Sequence, residues 1–248
     1  MCGRFVLDAT PAEVVKTFDL DGIEDFPARY NISPTQPIIV VRHRAVEPGS
    51  NLPPREATFA RWGLIPPWAN DPKDVPLLIN ARSETAAGKA SFRSAMKRGR
   101  ILVPASGFYE WRRTGQGKAK VLEPFYVRPR DGRTLAFAGL MEDGEIPSAA
   151  IMTVDANETC RPIHHRMPIV VEPVDFDRWL DCDAHSVADA TAIMRTPDDA
   201  FFEAIPVSDR VNKATNQGAD LIEPVERDAP PEPEPIVAEP EPRQGSLF

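Results

Sequence analysis

Short runs of β-forming residues, separated by Gly, Pro and Asp, constrain the fold of this chain more than any other sequence feature. The connections between most runs are too short or too rich in proline for helical crossovers, so neighbouring strands should pair antiparallel. The predicted strands are 38–41, 58–62, 101–103, 124–127, 134–139, 150–154, 169–171 and 202–206, and the predicted helices are 11–18, 91–98, 175–180 and 186–195. The pattern predicts an α+β domain with a largely antiparallel, barrel-like β-sheet core and flanking helices.

The last part of the chain has a different composition from the rest. Of the 27 prolines in 248 residues, seven lie between Pro224 and Pro242. Residues 223–243 carry seven acidic side chains against two arginines, which accounts for −5 of the formal net charge of −8. A segment this polar and proline-rich buries too little apolar surface to fold. We therefore predict a folded domain over 1–222 and a disordered acidic tail over 223–248.

Cysteine and hydropathy patterns bear on the compartment. The three cysteines form no C-x-x-C motif, and the start of the chain has no apolar signal segment, which indicates a reducing, cytoplasmic location. No stretch approaches 18 apolar residues, so no membrane partner is expected. The four histidines lack a metal-ligand spacing, and neither a metal nor an organic cofactor is predicted.

Cys2 is the first candidate for chemistry. A methionine followed by a small residue is normally removed, which would leave Cys2 with a free α-amine two carbons from its thiol. Such a 1,2-aminothiol forms a Schiff base with an aldehyde and then closes a thiazolidine ring through sulfur. The ordinary pKa of an α-amine is about 7.7–8.0, so a useful neutral fraction exists at neutral pH. An incidental cysteine at position 2 is the alternative.

Three further polar residues are candidates for a reaction pocket. Glu110 is flanked by aromatic rings just after a β-rich run, where burial would raise its pKa, although a solvated glutamate at a strand end is equally compatible. Asn80 follows Leu77–Ile79 at a predicted strand end, but asparagine is also common in turns. On an extended segment His164 and its neighbour His165 would point to opposite sides, so only one is expected to face a pocket.

A tryptophan-rich segment suggests nucleic-acid binding as one possibility. Trp62 and Trp68 lie close together in a proline-containing, non-helical stretch. A core cluster explains them, and so does an exposed Trp68 that stacks on a base beside the phosphate-binding arginines Arg4, Arg82 and Arg166. Composition alone leaves both interpretations open.

Several short motifs occur together in a characteristic order. They are Met1-Cys-Gly-Arg-Phe5, Trp62-Gly-Leu-Ile-Pro-x-Trp68, Asn80-Ala-Arg-Ser-Glu-Thr85, Pro104-x-x-Gly-Phe-Tyr-Glu-Trp111, Ala138-Gly-Leu140, Ile163-His-x-Arg-Met-Pro168 and Pro206-Val-Ser208 through Val211-Asn212. Over about residues 2–222 the sequence strongly resembles the SOS response-associated peptidase family, also called abasic-site processing proteins. Two positions depart from the usual pattern, Ser106 and Met141, and neither lies in the proposed chemistry.

The resemblance implies a DNA-damage function. In this family the N-terminal cysteine forms a thiazolidine crosslink with the aldehyde of an abasic site in single-stranded DNA and shields the lesion. It implies that Cys2 is the nucleophile, that Asn80 and Glu110 line the pocket, and that His164 is the histidine of the His-x-Arg-Met-Pro motif.

The expected proton transfers and DNA contacts follow from the same resemblance. Because an ordinary histidine pKa of about 6.5 lies near the working pH, His164 is our predicted proton donor for sugar ring opening. Glu110 would act on the Cys2 amine. Arg4, Arg82 and Arg166 would hold phosphates, and Trp68 would stack.

Two other functions use the same residues. In an N-terminal-cysteine peptidase or amidase, the terminal amine would activate the thiol and Asn80 would form an oxyanion hole. A non-catalytic DNA-binding tether would instead use the tail to recruit a partner. The peptidase in the family name refers to the self-processing that exposes the cysteine, and crosslinking would be stoichiometric.

The tail ends in a sequence that predicts a separate interaction. Gln244-Gly-Ser-Leu-Phe248 resembles the short Gln-x-x-Leu-Phe peptides that dock on the bacterial DNA sliding clamp. Leu247 and Phe248 would enter an apolar pocket while Gln244 hydrogen-bonds at its rim. A solvated tail without a partner is the alternative.

Overall fold

Two β-sheets form the domain in the computed structural model, which describes residues 2–47, 49–69, 72–115 and 121–226. The strands are β1 (Arg4–Leu7), β2 (Arg29–Ile32), β3 (Pro37–His43), β4 (Arg55–Trp62), β5 (Asn80–Arg82), β6 (Arg100–Ala105), β7 (Gly107–Thr114), β8 (Val121–Pro129), β9 (Leu135–Glu142), β10 (Ser148–Asp155), β11 (Arg166–Pro168) and β12 (Phe202–Pro206). The α-helices are α1 (Pro11–Phe18), α2 (Ser83–Ala86), α3 (Arg93–Arg98), α4 (Phe176–Leu180) and α5 (Val187–Ala192). Single 3₁₀ turns cover Pro72–Asp74, Pro173–Asp175, Asp209–Asn212 and Ala219–Ile222.

The strand order confirms the predicted fold class. The first sheet has the order β12-β8-β7-β1-β2, and all its pairs are antiparallel. The second has the order β11-β10-β4-β3-β6-β9, and β10 also pairs with β9, so five strands close into a ring. Within the described residues, parallel pairing is confined to β10 with β4 and with β5. The domain is thus α+β, largely antiparallel and barrel-like.

Aromatic side chains from both sheets meet in the core. Phe5 of β1 lies edge-on to Trp62 of β4, with ring centroids 5.2 Å apart, and to Phe137 of β9 at 6.3 Å. Phe108 of β7 contacts Phe137 at 6.1 Å. Edge-to-face pairs of this kind contribute about 0.5–1.5 kcal/mol each beyond the burial of their area. Because β1 takes part in this cluster, the core also fixes the position of the first residues of the chain.

The structure changes several predicted strands. Strands β1, β2, β5 and β7 were not predicted, and the segment expected at 169–171 is replaced by β11, three residues earlier. In β7, Gly107 allows close packing, since a β-carbon there would lie 2.5 Å from the Tyr126 ring and 2.6 Å from the carbonyl oxygen of Val127. Glycine and mixed polar residues weaken the β signal of β7, while its pairing with β1 and β8 supplies the missing stabilisation.

The predicted helices are confirmed, with shorter ends. Helix α1 matches the prediction because Thr10 and Glu13 cap it reciprocally, with the Glu13 amide donating to Thr10 Oγ1 at 3.3 Å and the Thr10 amide donating to Glu13 Oε2 at 2.7 Å. The remaining three are each one to four residues shorter than predicted. Helix α2 was not predicted.

The sheet continues slightly beyond the expected domain boundary. The amide of Val225 donates to the carbonyl of Pro206 at 2.9 Å, and Pro224 forms a bridge with Val207, so ordered pairing passes residue 222. Residues 227–248, which include the predicted clamp-binding Gln244, Leu247 and Phe248, lie outside the described residues. In the part of the chain that the structure describes, no helix has the length and apolar character needed to cross a membrane.

Candidate active site

Cys2 is buried at the start of the first sheet. Its side chain has 0% exposure, and its thiol donates a weak hydrogen bond to the carbonyl of Arg4, with Sγ and O 3.7 Å apart. Burial raises the pKa of the Cys2 thiol well above its ordinary value, so the sulfur is protonated at neutral pH. Strand β1 lies between β2 and β7, and the register that sets Arg4 opposite Tyr109 brings Glu110 beside the first residues.

Asn80 holds the backbone of Cys2. It begins β5, where it lies opposite Ile151 of β10, and its Nδ2 donates to the Cys2 carbonyl at 2.8 Å. Leu77–Ile79 do not form the strand that we predicted before it, so Asn80 starts a strand instead of ending one. Asn80 Oδ1 is buried and has no hydrogen-bond partner within the described residues. This oxygen is therefore available to accept from a ligand donor.

Glu110 lies within β7 and not at a strand end, opposite Phe125 of β8. The side chain is buried, and burial raises the pKa of its carboxyl above the ordinary range. Its Oε1 lies 3.9 Å from Nδ1 of His164. The strand therefore places a carboxyl with a raised pKa next to an imidazole, which is a common arrangement for proton transfer.

His164 differs from the sequence-based expectation in its protonation. Burial lowers its pKa to about 4, so the ring is neutral at neutral pH and contains little of the acid form that we expected. Nδ1 of His164 lies 3.0 Å from the amide nitrogen of Arg166 and 3.2 Å from its carbonyl oxygen, so the backbone of Arg166 holds the ring in place. The structure thus supports a neutral imidazole that is held in a fixed orientation.

The prediction that His164 and His165 point to opposite sides is wrong. Their rings stack with centroids 4.4 Å apart and an interplanar angle of 27°. Residues 161–163 form a turn and residue 165 a bend, so the alternation of an extended strand does not apply to this segment. His164 nevertheless contacts Glu110, whereas His165 lines an adjacent open depression.

Arg166 is buried among acceptors. Its side chain is only 6% exposed, and its guanidinium donates to both carboxylate oxygens of Glu84 at 2.6 and 3.0 Å and to Asp155 Oδ1 at 2.7 Å. It also donates to the carbonyl of Thr153 at 2.6 Å. In this arrangement Arg166 stabilises the backbone that holds His164. Arg166 Nε is buried and has no hydrogen-bond partner within the described residues, so contact with a DNA phosphate would require either access to this group or the loss of a carboxylate contact.

Arg4 is also held from within the protein. Its guanidinium donates to Asn31 Oδ1 at 2.8 Å and to the carbonyl of Val211 at 3.0 Å, and burial lowers its pKa. Asn31 is fully buried and its amide donates to the carbonyls of Val211, Lys213 and Asn216. This asparagine, which joins the first sheet to the end of the domain, was not identified from the sequence, because a lone asparagine carries no distinctive signal.

The two tryptophans have different environments. Trp62 is buried and its Nε1 donates to the carbonyl of Ile79 at 3.0 Å, whereas Trp68 is 57% exposed. Arg82 is exposed and makes no ion pair among the described residues. An open depression of about 400 Å³ is lined by Arg82, Glu84, Thr85, Asp155, His165 and Arg166. Trp68 and Arg82 are therefore accessible to a large ligand, as base stacking and phosphate contact require.

Cys160 is a further residue near the pocket that the sequence did not reveal. Its carbonyl accepts from the amides of Ile163 and His164 at 2.9 and 3.0 Å, so it shapes the turn that carries the histidine. Burial, followed by the charge of Glu110, raises the pKa of its thiol to about 12. The Cys160 thiol is thus protonated at neutral pH, and the residue shapes the turn through its backbone. Among the described residues no three His, Cys, Asp or Glu side chains gather as metal ligands.

Together, the fold and the site define a class of protein with a buried cysteine at position 2, an asparagine on its carbonyl, and a carboxyl–imidazole pair beside it. Residues 1–214 match the family model described as SOS response associated peptidase (SRAP), and the chain belongs to this family. The result confirms the resemblance inferred from the ordered motifs.

Curated relatives cover nearly the whole chain. The chain is 33% identical to abasic site processing protein YoqW of Bacillus subtilis over 90% of this chain and 99% of the relative. It is 31% identical to abasic site processing protein YedK of Escherichia coli over 91% and 100%, respectively. It is 30% identical to abasic site processing protein HMCES of Gallus gallus over 82% of this chain and 68% of that protein.

Solved structures share the fold. A phage-related protein of Bordetella bronchiseptica is 28% identical, with a TM-score of 0.66, and the match covers 83% of this chain and 94% of that chain. A protein from Bacteroides thetaiotaomicron has a TM-score of 0.73 at 21% identity, with 91% of this chain and all of that chain covered. The second likeness bears on the fold alone.

Proposed function

We propose that this protein processes abasic sites in single-stranded DNA by forming a covalent thiazolidine through Cys2. The observation that carries the proposal is the position of Cys2 beside Glu110, which lies 3.9 Å from His164, with the Cys2 carbonyl fixed by Asn80. The names of the curated relatives support the same substrate class. The acidic overall charge does not oppose it, because −5 of the −8 lies in the tail.

The reaction requires that Met1 is removed and the abasic sugar is in its open aldehyde form. The Cys2 amine adds to the aldehyde carbon, and loss of one water gives an imine. The sulfur then adds to the imine carbon, its proton passes to the nitrogen, and the five-membered ring closes. No oxidant, metal or external nucleophile is consumed, and the DNA strand stays intact.

Glu110 is the proton carrier in this scheme. Opening of the sugar hemiacetal needs an acid, and a carboxyl whose pKa is raised by burial retains a larger protonated fraction than a solvated one. The carboxylate that remains is the base for the amine. His164, neutral at working pH, orients Glu110 and does not supply the proton, in contrast to the role that we predicted from its ordinary pKa.

Two exposed groups suit the DNA strand. Trp68 offers a face for base stacking, and Arg82 offers a guanidinium for a phosphate. Arg4 and Arg166 stay proposed phosphate contacts, but both donate to internal acceptors in this arrangement. The exposed Trp68 supports the single-stranded substrate of the proposal, because stacking of bases on aromatic side chains is typical of single-strand binding.

Intact-mass measurement tests the proposal directly. Protein alone should lack Met1, and incubation with an abasic single strand should add the mass of the strand minus one water, in a form that survives heating. Cys2→Ala should abolish this adduct, whereas the matched variant Cys182→Ala, which changes a partly exposed thiol elsewhere, should retain it. A full-strength adduct in Cys2→Ala, or in a form that retains Met1, would contradict the mechanism. Turnover of peptides without any DNA adduct would favour the amidase instead.

The tail supports a second, independent proposal. We retain the prediction that Gln244, Leu247 and Phe248 dock on the sliding clamp, with the acidic, proline-rich segment as an extended linker. A peptide of residues 240–248 should bind the clamp in the micromolar range and lose affinity when Leu247 and Phe248 are replaced by alanine. Binding that is indifferent to this change would remove the proposal and leave the crosslinking mechanism unaffected.

A further inference from the structure

The segment that follows Arg82 has an unusual charge pattern. Residues 85–109 contain no Asp or Glu, although the chain as a whole is acidic. Three of its cations, Lys89, Arg93 and Lys97, recur every four residues, and we call them the basic stripe. In a helix, a spacing of four places side chains on the same face, with about 6 Å of axial rise between them.

The structure places two residues of the basic stripe on α3 and the third just before it. The amide of Arg93 donates to the carbonyl of Lys89 at 2.9 Å, which is an α-helical turn, and Arg93 begins α3, which also contains Lys97. Helix α3 is anchored by Ala95 and Met96, which are buried against the second sheet. Arg93 and Lys97 are therefore exposed on an anchored helix, and Lys89 is exposed in the bend that precedes it.

The charges of the basic stripe are not neutralised within the protein. Lys89, Arg93 and Lys97 make no ion pair with any described residue, and the Lys89 ammonium only lies over the ring of Phe92, 5.4 Å from its centroid. The nearest acidic residue in sequence, Glu84, is already bonded to Arg166. Three uncompensated cations on one face attract a ligand with regularly spaced negative charges.

The basic stripe continues from the candidate active site. Arg82 ends β5, and the chain then passes through α2 and a turn in which the Lys89 amide donates to the carbonyl of Thr85 at 3.0 Å. Even in a fully extended chain, the seven positions from Arg82 to Lys89 would span at most about 25 Å, and α2 and the turn shorten this distance. A strand whose lesion lies in the pocket and whose phosphate contacts Arg82 reaches Lys89 within a few nucleotides.

We propose that the basic stripe binds the phosphates of the single strand on one side of the lesion, beyond Arg82, and so extends the DNA footprint along α3. The inference rests on the proposed function for its ligand. It assigns phosphate binding to Lys89, Arg93 and Lys97, and it implies that one flank of the lesion contributes more affinity than the other.

The experiment measures binding with an unreactive abasic-site analogue, so that it does not depend on crosslinking. Three strands are compared: one with two nucleotides on each side of the analogue, and two extended to ten nucleotides on either the 5′ or the 3′ side. The test variant is Lys89→Gln/Arg93→Gln/Lys97→Gln. The matched control, Lys16→Gln/Arg130→Gln/Arg195→Gln, removes the same charge from exposed positions elsewhere.

One extended strand should show the effect. Each lost phosphate contact lowers the slope of log K against log salt by about 0.7 for single strands, so the test variant should lose about 2 in slope on that strand. It should bind the short strand and the other extended strand as the parent does. The charge-conserving variant Lys89→Arg/Arg93→Lys/Lys97→Arg should keep the parent slope, which shows that charge and not a folding defect is responsible.

Several results would overturn the proposal. An equal loss in the control variant would mean that only net charge matters, and an equal loss on the short strand would mean that the basic stripe lies within the pocket. An unchanged slope on both extended strands would remove the footprint altogether. Absence of a covalent adduct in the parent protein, by contrast, would contradict the proposed function. The salt slopes would still test phosphate binding by the basic stripe, because the analogue does not react.

Discussion

The buried pocket and the exposed surface beside it both contain ionisable side chains, but in opposite environments. In the pocket, burial raises the pKa of Glu110 and lowers that of His164, so both groups tend toward their neutral forms. On the surface, Arg82 and the basic stripe remain solvated and make no ion pairs among the described residues. The comparison teaches that desolvation tunes groups that move protons, whereas solvent exposure preserves groups that recognise charge.

The first and largest expected effect is on Glu110. Glu110→Gln should slow adduct formation by about 10²–10⁴-fold, the usual contribution of a general acid–base group, while binding to an undamaged strand changes by less than twofold. Quenched time courses on abasic strands measure the rate, and fluorescence anisotropy measures the binding. A parallel loss of rate and of binding would show that Glu110 acts on affinity. The pocket and the surface would then not have separate roles.

The rates of adduct formation by the parent and by Glu110→Gln should depend on pH in different ways. The reaction needs the Cys2 amine without its proton and, for ring opening, Glu110 with its proton. Between the raised pKa of Glu110 and an amine pKa of about 7.7–8.0, the gain in amine with rising pH offsets the loss of acid. The parent rate should therefore be flat across this window and fall above it, whereas the rate of Glu110→Gln should rise about tenfold per pH unit up to the amine pKa.

The second prediction separates the two stacked histidines. His164→Ala should slow crosslinking by about 10²-fold, at the low end for an acid–base group, because Glu110 loses its orienting neighbour. His165→Ala should change the rate little, since that ring lines the open depression. Rates of adduct formation at saturating DNA decide between them. The reverse order of effects would mean that His165 is the residue of the pocket.

The third prediction concerns the exposed tryptophan. Trp68→Ala should weaken binding to single strands by about 1–3 kcal/mol, the usual value of one base stacked on an aromatic ring, and leave the rate at saturating DNA nearly unchanged. The control is Phe59→Ala, which removes an exposed aromatic ring at a different place, in β4. Equal effects of the two substitutions would show that exposure alone does not identify the binding surface.

The fourth prediction is a smaller effect at the exposed arginine. Arg82→Gln should lower the salt slope of binding by about 0.7, the value of a single phosphate contact, and reduce affinity several-fold at moderate salt. Binding isotherms at four or more salt concentrations provide the slope. An unchanged slope would exclude Arg82 from the phosphate path and would also separate the basic stripe from the pocket.

The smallest expected effect is at Glu84, which connects the exposed depression to the pocket through Arg166. Glu84→Gln weakens the hold on Arg166, whose amide donates to His164, so adduct formation should slow only a few-fold. The imidazole resonances of His164 should shift while those of His185, which lies elsewhere, stay in place. A loss of DNA affinity with no change at His164 would indicate that Arg166 contacts phosphate after all.

How much could be read from the sequence depends on how local each feature is. Helix α1 was predicted with its exact ends because Thr10, Pro11 and Glu13 determine its start within one turn. Likewise, the ordered motifs identified the family, which the match over residues 1–214 confirms. The four-residue period of the basic stripe is also a local property of the sequence, although the stripe was recognised only in the structure.

Tertiary structure decided the features that depend on distant partners. Strand β7, which carries Glu110, exists because β1 and β8 pair with it, and Asn80 reaches the Cys2 carbonyl only through the pairing of β5 with β10. The pKa of His164 depends on the atoms that surround it, so the sequence could suggest only the ordinary pKa of a histidine. Secondary-structure signals act over a few residues, whereas burial and electrostatics sum contributions from the whole fold. For this reason the residue types of the candidate site could be proposed from the sequence. Their protonation and contacts required the structure.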